Sequence, residues 1–396
     1  MSSVELEMIG LAGVYLFMCY ALIRAPRLRR PLSVAVAVLF TLVMIAAVVW
    51  LPMNKSLADL DLWRPYTQIF ATMAPFVFYL GLMLILITVI NIIWTICQVI
   101  TGTGRLELTV LLASTRMQFV RITTALAVIA SIGITGYGYF AAHNPEVTNI
   151  TITSPNLPAQ FDGFRIALLA DIHVGVGLGR PFVQSVVNQV NAVDPDLVVI
   201  AGDLSNGTPA QLGSDLMPLT KLKAGYGVLV TTGNHEFDTN AQAWIDWLDS
   251  HNLPVLDNSG TVLKRGTASI DILGINDKNG TAPHNENLAA AAQQLHDTFG
   301  EPVNGAGRYR ILIAHEPVQV YDGAREYGVN LQLSGHTHGG QLWPLGYVVR
   351  LYQPTLSGVA HLNGVTVVTT RGVGAWGPPV RVGAPPEIPI ITLRRG

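Results

Sequence analysis

Four apolar runs fill the first part of the chain, and the pattern then changes. The runs are Met8–Ile23, Leu32–Met53, Ala74–Ile100 and Ile122–Ala141, and none contains a charged side chain. A helix rising 1.5 Å per residue takes about 20 apolar residues to cross the hydrocarbon core of a bilayer. The second, third and fourth runs reach that length; the first is short unless Val4 and its neighbours extend it. Beyond Ala141 the apolar stretches shrink to strand length. Asn144–Phe161 reads as a polar, Pro-containing tether in which Ile150–Thr153 has strand character. Phe164–Ala170, Leu197–Ala201, Val228–Thr232, Tyr309–Ala314 and Val329–Ser334 then read as buried strands. Pro181–Val193 and Leu216–Ala224 read as helices between them. Strands alternating with helices predict an α/β layer fold.

Composition sharpens the division. Half of the 396 residues are hydrophobic and only 13% are charged, against about 25% in soluble domains. That excludes a disordered tail, a nucleic-acid binder and an ordinary cytosolic enzyme. Residues 1–144 hold nine Lys/Arg and five Asp/Glu, a balance of +4, and the remainder hold fifteen and 21, a balance of −6. Both cysteines, Cys19 and Cys97, lie in the front part, and all ten histidines lie at or beyond His143. The back part therefore has no disulfide framework.

Charge placement sets an expected orientation. A signal peptide would carry positive charge before its apolar run, whereas Glu5 and Glu7 precede this one and Arg24, Arg27, Arg29 and Arg30 follow it. The first loop holds those four Arg, and the third, Thr101–Arg121, holds Arg105, Arg116 and Arg121. The intervening loop holds only Lys55 and Arg64. Positive charge marks cytoplasmic loops, so the first and third belong inside and the back part emerges outside. The expectation is a multi-pass protein of the inner membrane with an extracytoplasmic domain. Charged residues within the spans, the usual mark of a transport path, are missing. The four helices thus read as an anchor, with Asn91 bonding between helices.

The polar residues of the back part sit where the apolar strands end. Phe164–Ala170 runs into Asp171 and His173; Leu197–Ala201 into Gly202-Asp203; Val228–Thr232 into Gly233-Asn234-His235-Glu236. Tyr309–Ala314 meets His315, and Val329–Ser334 meets Gly335-His336-Thr337-His338. Ligands bind at the carboxyl ends of strands in open α/β sheets, so five strand ends are expected to converge on one rim. The donors are oxygen and imidazole nitrogen without thiolate, which suits borderline divalent ions such as Mn, Fe, Zn or Co. Asp171, His173, Asp203, Asn234, His315, His336 and His338 exceed what one tetrahedral ion requires, and a two-metal site would use them all. Any one of these residues would more often be a core or capping group, but a purely structural account must explain the whole ordered set. His143, His251, His284, His296 and His361 lack partner spacing and read as surface residues.

The order Asp-x-His, Gly-Asp, Gly-Asn-His-Glu, a lone His and Gly-His-Thr-His resembles the calcineurin-like metallophosphoesterase superfamily. Leu157-Pro158, Phe161 to Phe164, Gly335 to Gln341, Thr370-Arg371-Gly372 and Pro385 to Ile388 are similar to a membrane-associated bacterial branch. The resemblance implies an α/β fold of two packed mixed sheets flanked by helices. The expected organisation is an N-terminal four-helix transmembrane bundle over 1–144 and a metallophosphoesterase domain over 145–396. Carried over residue by residue, it implies two divalent ions. One is held by Asp171, His173, Asp203 and His338, the other by Asp203, Asn234, His315 and His336, and Asp203 bridges them. A metal-activated water would attack phosphorus, with His235 as catalytic proton donor.

The protein Ser/Thr phosphatases of the superfamily carry Gly-Asp-x-x-Asp-Arg-Gly, whereas this chain reads Gly202-Asp203-Leu204-Ser205-Asn206-Gly207. That departure argues against a phosphoprotein substrate. Asn206 is expected to orient His235 or touch substrate, Arg371 and Arg381 to hold a substrate phosphate, and Asp277 to face the site. Trp343, Trp376 and Tyr347 either form an apolar lip or pack. The leading expectation is a membrane-anchored phosphoesterase or phosphodiesterase acting on a phosphorylated small-molecule or lipid substrate. The alternative is a non-catalytic membrane receptor or regulatory module that keeps the metallophosphoesterase shell.

Overall fold

The computed structural model describes residues 13–56, 64–100, 106–175 and 177–396, which divide into two compact units. The first comprises residues up to Met53 with Pro65–Tyr137, and the second Asn54–Arg64 with Gly138–Gly396.

The first unit is helical. Its elements are α1 (Gly13–Arg24, closing in a π turn over Tyr20–Arg24), α2 (Arg30–Ser56), α3 (Arg64–Ile100) and α4 (Leu106–Ala142, whose end passes into the second unit). The start of the first apolar run, with Glu5 and Glu7, lies outside the described residues. Met18, Phe40, Leu80, Leu84 and Ala127 pack inward, while Leu39, Ile85, Leu86, Ile93 and Ile129 point outward. A helix apolar around its whole circumference is buried in protein or in lipid. Ala71–Ile100 and Ser114–Ala142 are long and apolar enough to cross a membrane; Gly13–Arg24 and Arg30–Ile45 are shorter apolar stretches. Two candidate spans therefore stand among the described residues where four were expected. The expected third loop also differs. Arg116 and Arg121 lie on α4, because no Pro or Gly after Gly104 stops the helix from starting early.

The second unit is built on two mixed sheets. Its strands are β1 (Glu146–Ser154), β2 (Arg165–Leu169), β3 (Leu197–Ala201), β4 (Val228–Thr231), β5 (Ser259–Arg265), β6 (Ala268–Gly274), β7 (Arg310–Ile313), β8 (Leu331–Ser334), β9 (Gly358–Leu362), β10 (Val365–Thr369) and β11 (Glu387–Arg395). One sheet runs β1-β11-β2-β3-β4 and the other β5-β6-β7-β8-β10-β9. The helices are α5 (Arg180–Val193), α6 (Pro209–Leu216), α7 (Asn234–Thr239), α8 (Ala241–Ser250), α9 (Leu288–Phe299) and the short α10 (Gly346–Val349).

The period of two in a strand explains the layering. In β2, Ile166 and Leu168 join Ile311, Ile313, Leu331 and Leu333 in one core between the sheets. Ala167 and Leu169 face the other way, onto a core with Val183, Val187 and Trp244 of α5 and α8. Leu312 of β7 meets Ala291 and Leu295 of α9 on the far side.

Three elements depart from the sequence pattern. Within the presumed tether the strand is longer than Ile150–Thr153: β1 spans nine residues, all paired in parallel with β11. The helix expected at Leu216–Ala224 begins earlier, at Pro209. Thr208 caps it with Gln211, Pro209 suits the first helical position, and Met217–Lys221 continues only as a 3-10 turn. The five strand ends come from two sheets: β2, β3 and β4 from one, β7 and β8 from the other.

Candidate metal centre

Three of these five strands, β2, β3 and β8, end in a sharp backbone reversal that carries polar side chains. Asp171, His173, Asp203, His336 and His338 all have positive φ, between 47° and 69°. Non-glycine residues rarely adopt that region, and such strain concentrates at functional sites. Glycines allow the turns to close on one another. A Cβ on Gly233 would lie 2.3 Å from Asp203 Oδ1, and one on Gly335 would lie 2.5 Å from Asp171 Oδ2.

The eight expected site residues come together. His173 Nε2 lies 3.0 Å from His338 Nε2 and 3.5 Å from Asp203 Oδ2. His338 Nε2 is 3.5 Å from Asp171 Oδ1. Asp203 Oδ2 also lies 3.2 Å from His315 Nε2. His336 Nδ1 completes this side, 3.3 Å from His315 Nε2 and 3.1 Å from Asn234 Oδ1. Three groups gather their donor atoms within 4.8 Å: Asp171, His173 and His338; His173, Asp203 and His235; Asp203, His315 and His336. His235 stands at the edge, half-buried, its ring centre 4.5 Å from that of His173 and its backbone N–H donating to Asp203 Oδ1 at 2.9 Å.

The electrostatics follow from burial. Loss of solvent and the nearby His235 push His173 down to about 3. Burial and His315 push His336 down to about 4, and burial and Arg381 hold His338 well below the usual histidine range. These three rings are therefore neutral at pH 7. Burial also opposes charge on Asp203 and His315, but their mutual contact prevails: Asp203 is held well below and His315 well above its ordinary value. Asp171, buried beside Asp203, is pushed up to about 7, although the His336 N–H donates to it. Neutral imidazoles crowding a carboxylate, with no thiolate, fit divalent cations of the borderline class.

The rings are held from behind. His173 Nδ1 donates to Asn206 Oδ1 at 2.9 Å, and His315 Nδ1 to the Ala201 carbonyl at 2.6 Å. Such outer partners orient metal-binding histidines. Asn206 thus orients His173, not His235 as expected. Arg381 also departs from expectation. It is fully buried, and its donors go to the carbonyls of Gly374, His338 and Ala384 and to His338 Nδ1. A guanidinium so engaged does not face substrate. Arg371 is paired with Glu387 at 2.8 Å. Asp277 is buried and pushed up to about 6 by burial, with His315 as its largest charged influence. His143, His251, His284, His296 and His361 lie outside the three donor groups; His284 is paired with Asp257 at 3.0 Å.

Glu236 escaped the sequence reading. Its buried carboxylate accepts from the N–H groups of Gly233, Asp203 and Leu204 at 2.7, 2.9 and 2.8 Å, binding the β3 turn to the β4 turn. The signal was present, since a Glu at the third position of a helix commonly reaches back to the cap.

The calcineurin-like phosphoesterase family model matches residues 164–340, a stretch that includes all eight residues. A metallophosphoesterase of Bacillus subtilis is 31% identical over 291 residues, covering 70% of this chain and 97% of that protein. The chain belongs to the calcineurin-like metallophosphoesterases. A transmembrane protein with metallophosphoesterase domain from Danio rerio is 33% identical over 283 residues, 69% of this chain and 63% of its own length. A metallophosphoesterase of Campylobacter jejuni is 33% identical over 260 residues, 64% of each chain. The match thus spans just under two thirds of these last two relatives. In this metallophosphoesterase the donor groups occupy the turns between the matched strands and helices.

Proposed function

We propose that this metallophosphoesterase is anchored in a membrane, holds two divalent ions and hydrolyses a phosphate ester or pyrophosphate bond of a lipid-linked substrate. The observation that carries the reading is the convergence of donors from two sheets on Asp203, which contacts His173 on one side and His315 on the other. Asp171, His173 and His338 would hold one ion, Asn234, His315 and His336 the other, and Asp203 would serve both. When bound, such ions supply positive charge for the phosphoryl oxygens and lower the pKa of water to about 7. His235, at the rim with its backbone tied to Asp203, donates a proton to the leaving oxygen. Asn206 and the Ala201 carbonyl keep the rings of His173 and His315 turned inward.

An aromatic rim supports a lipid-linked substrate. Gln341, three residues after His338, exchanges two 2.8 Å hydrogen bonds with the Trp376 backbone. Trp343, Tyr347, Val348, Leu351, Tyr352 and Trp376 are all more than half exposed around it. Aromatic side chains with polar tips favour a bilayer interface. The two long apolar helices and the transmembrane zebrafish relative support anchoring, with 1–144 as anchor and 145–396 as catalytic domain. Arg121 Nε donates to the Pro26 carbonyl at 2.9 Å, so arginines from both positive segments gather at one end of the helices. That supports a cytoplasmic end and an outward-facing catalytic domain in the inner membrane.

The test is hydrolysis of p-nitrophenyl phosphate, its bis ester and a panel of lipid phosphates and pyrophosphates, with added Mn. No turnover on any of them would favour the regulatory module. A C-terminal tag reached by an impermeant label in intact spheroplasts supports the orientation, and a protected tag refutes it.

A further inference from the structure

Within the helical unit, α1, α3 and α4 enclose a cavity of about 560 Å³, the size of a small-molecule site. Its walls are of two kinds. Leu84, Ile87 and Val120 make one part apolar, whereas Arg24, Arg27 and Arg116 bring three guanidinium groups to the other. Among the described residues that line the cavity there is no Asp or Glu.

The cationic end is pre-arranged. Arg121 donates to the carbonyls of Pro26 and Arg27 at 2.9 and 3.3 Å, fixing the turn that carries Arg24 and Arg27 to α4. Arg116 Nε donates to Asn91 Oδ1 at 3.2 Å, and Asn91 is itself held by the Ile87 carbonyl at 2.8 Å. The terminal nitrogens of Arg116 have no partner among the described residues. Thr124 also lines the cavity, and its hydroxyl is buried without a hydrogen-bond partner among the described residues. A buried unpaired hydroxyl is costly unless something bonds to it.

We propose that this cavity binds the phosphodiester headgroup of an anionic phospholipid, with Arg24, Arg27 and Arg116 on the phosphate and the apolar wall along an acyl chain. Arginine matches phosphate oxygens in paired hydrogen bonds, and basic pockets between membrane helices take anionic headgroups. Thr124 supplies a further donor. This site is separate from the metal centre, and the proposal rests on the membrane reading of the helices.

The experiment uses the full chain in phosphatidylcholine nanodiscs with or without phosphatidylglycerol. Retained lipid is counted by native mass spectrometry, and thermal unfolding is followed in parallel. The wild type is expected to retain phosphatidylglycerol and unfold at higher temperature with it. Arg24→Gln combined with Arg116→Gln should lower retention by about fivefold per arginine removed. Arg29→Gln combined with Arg30→Gln, outside the cavity, should retain the lipid. Thr124→Val, which leaves every charge in place, should also lower retention. Equal loss in the two arginine pairs would mean only diffuse surface attraction and overturns the proposal. Stabilisation by inorganic phosphate alone, to the same degree, overturns the lipid assignment. A chain that stays soluble without detergent defeats the membrane reading. A chain that inserts but retains both lipids alike defeats this proposal alone.

Discussion

The Nε2 atoms of His173 and His338 face each other at 3.0 Å, and the groups behind the two rings are opposite in kind. His173 Nδ1 donates to Asn206 Oδ1, which leaves a lone pair on its Nε2. His338 Nδ1 accepts from Arg381 Nη2 at 3.1 Å. Burial pushes Arg381 down to about 9, so it remains a charged donor at pH 7. The proton of neutral His338 therefore sits on Nε2 and is donated to His173. A cation entering between Asp171, His173 and His338 requires that proton to move to Nδ1 and Arg381 Nη2 to turn aside, since a metal-binding imidazole is neutral and ligates through a bare nitrogen. Net proton release on metal uptake at pH 7 is instead expected from His315, which Asp203 holds well above its ordinary value. Calorimetric titration with Mn in buffers of different ionisation enthalpy measures that release, and an apparent enthalpy independent of buffer would show that His315 is already neutral before the metal binds.

Among the described residues Asp203 is the one carboxylate paired with both His173 and His315. Asp203→Ala should cost the protein both ions, whereas His338→Ala and Asn234→Ala should each weaken mainly one. Metal analysis of the purified variants decides it. An Asp203→Ala protein that still carries two ions per chain would show that the carboxylate bridges nothing.

Much of this centre was legible in the chain because short Val/Ile/Leu strands stop at polar residues. Leu197–Ala201 is a strand from end to end, and Asp203 follows it after one glycine. The assignment of strands to sheets was not legible. Ile166 and Ile311 share a core from different sheets, and an apolar run carries no label for its partner. The pairing of β1 with β11 joins Glu146 to Glu387, beyond the reach of any local pattern. Arg381 misled for a related reason. An arginine in a Gly/Pro-rich loop reads as open to solvent or to a substrate phosphate, and only the folded chain brings the carbonyls of His338, Gly374 and Ala384 around it.

His235 shares a donor group with His173 and Asp203 but is only half-buried, unlike those two. His235→Ala should retain both ions and lose about 10²–10⁴-fold in turnover, the usual range for a general acid. The loss should shrink for esters with good leaving groups, which require less protonation. Initial rates across a series of substituted phenyl phosphates test this. A uniform loss across the series would leave His235 an electrostatic role only.

Asp271 is a structural carboxylate far from the strand ends. Both it and Arg310 are fully buried, joined at 2.9 Å, and Arg308 adds a second contact at 2.8 Å. Asp271→Ala leaves the Arg310 charge buried and unpaired, and breaking such a pair typically costs about 3–5 kcal/mol. Replacing both partners, as Asp271→Leu with Arg310→Met, should cost less than the single change. Urea unfolding of the three proteins measures the order, and a double variant weaker than the single one would contradict it.

Glu286 gives the stability a pH dependence of predictable sign. Burial, and then the negative charge of Asp322, push it from 4.5 to about 7. Gln319 donates to it at 2.9 Å, while Lys278 pairs with Asp322 at 3.1 Å. Between the two values the folded chain binds more protons at this position than the unfolded chain. Stability from this group is therefore fully present below about pH 4.5 and is lost as pH rises through about 7. The side chain is only partly buried, so screening keeps the effect modest. Glu286→Gln removes the titration, and its neutral amide oxygen can still accept from Gln319. The variant should match the wild type at about pH 5 and exceed it at about pH 8. Urea midpoints of both proteins across that range isolate the contribution, because every other titrating group is common to the two. Parallel curves would show that Glu286 titrates alike in the folded and unfolded chains.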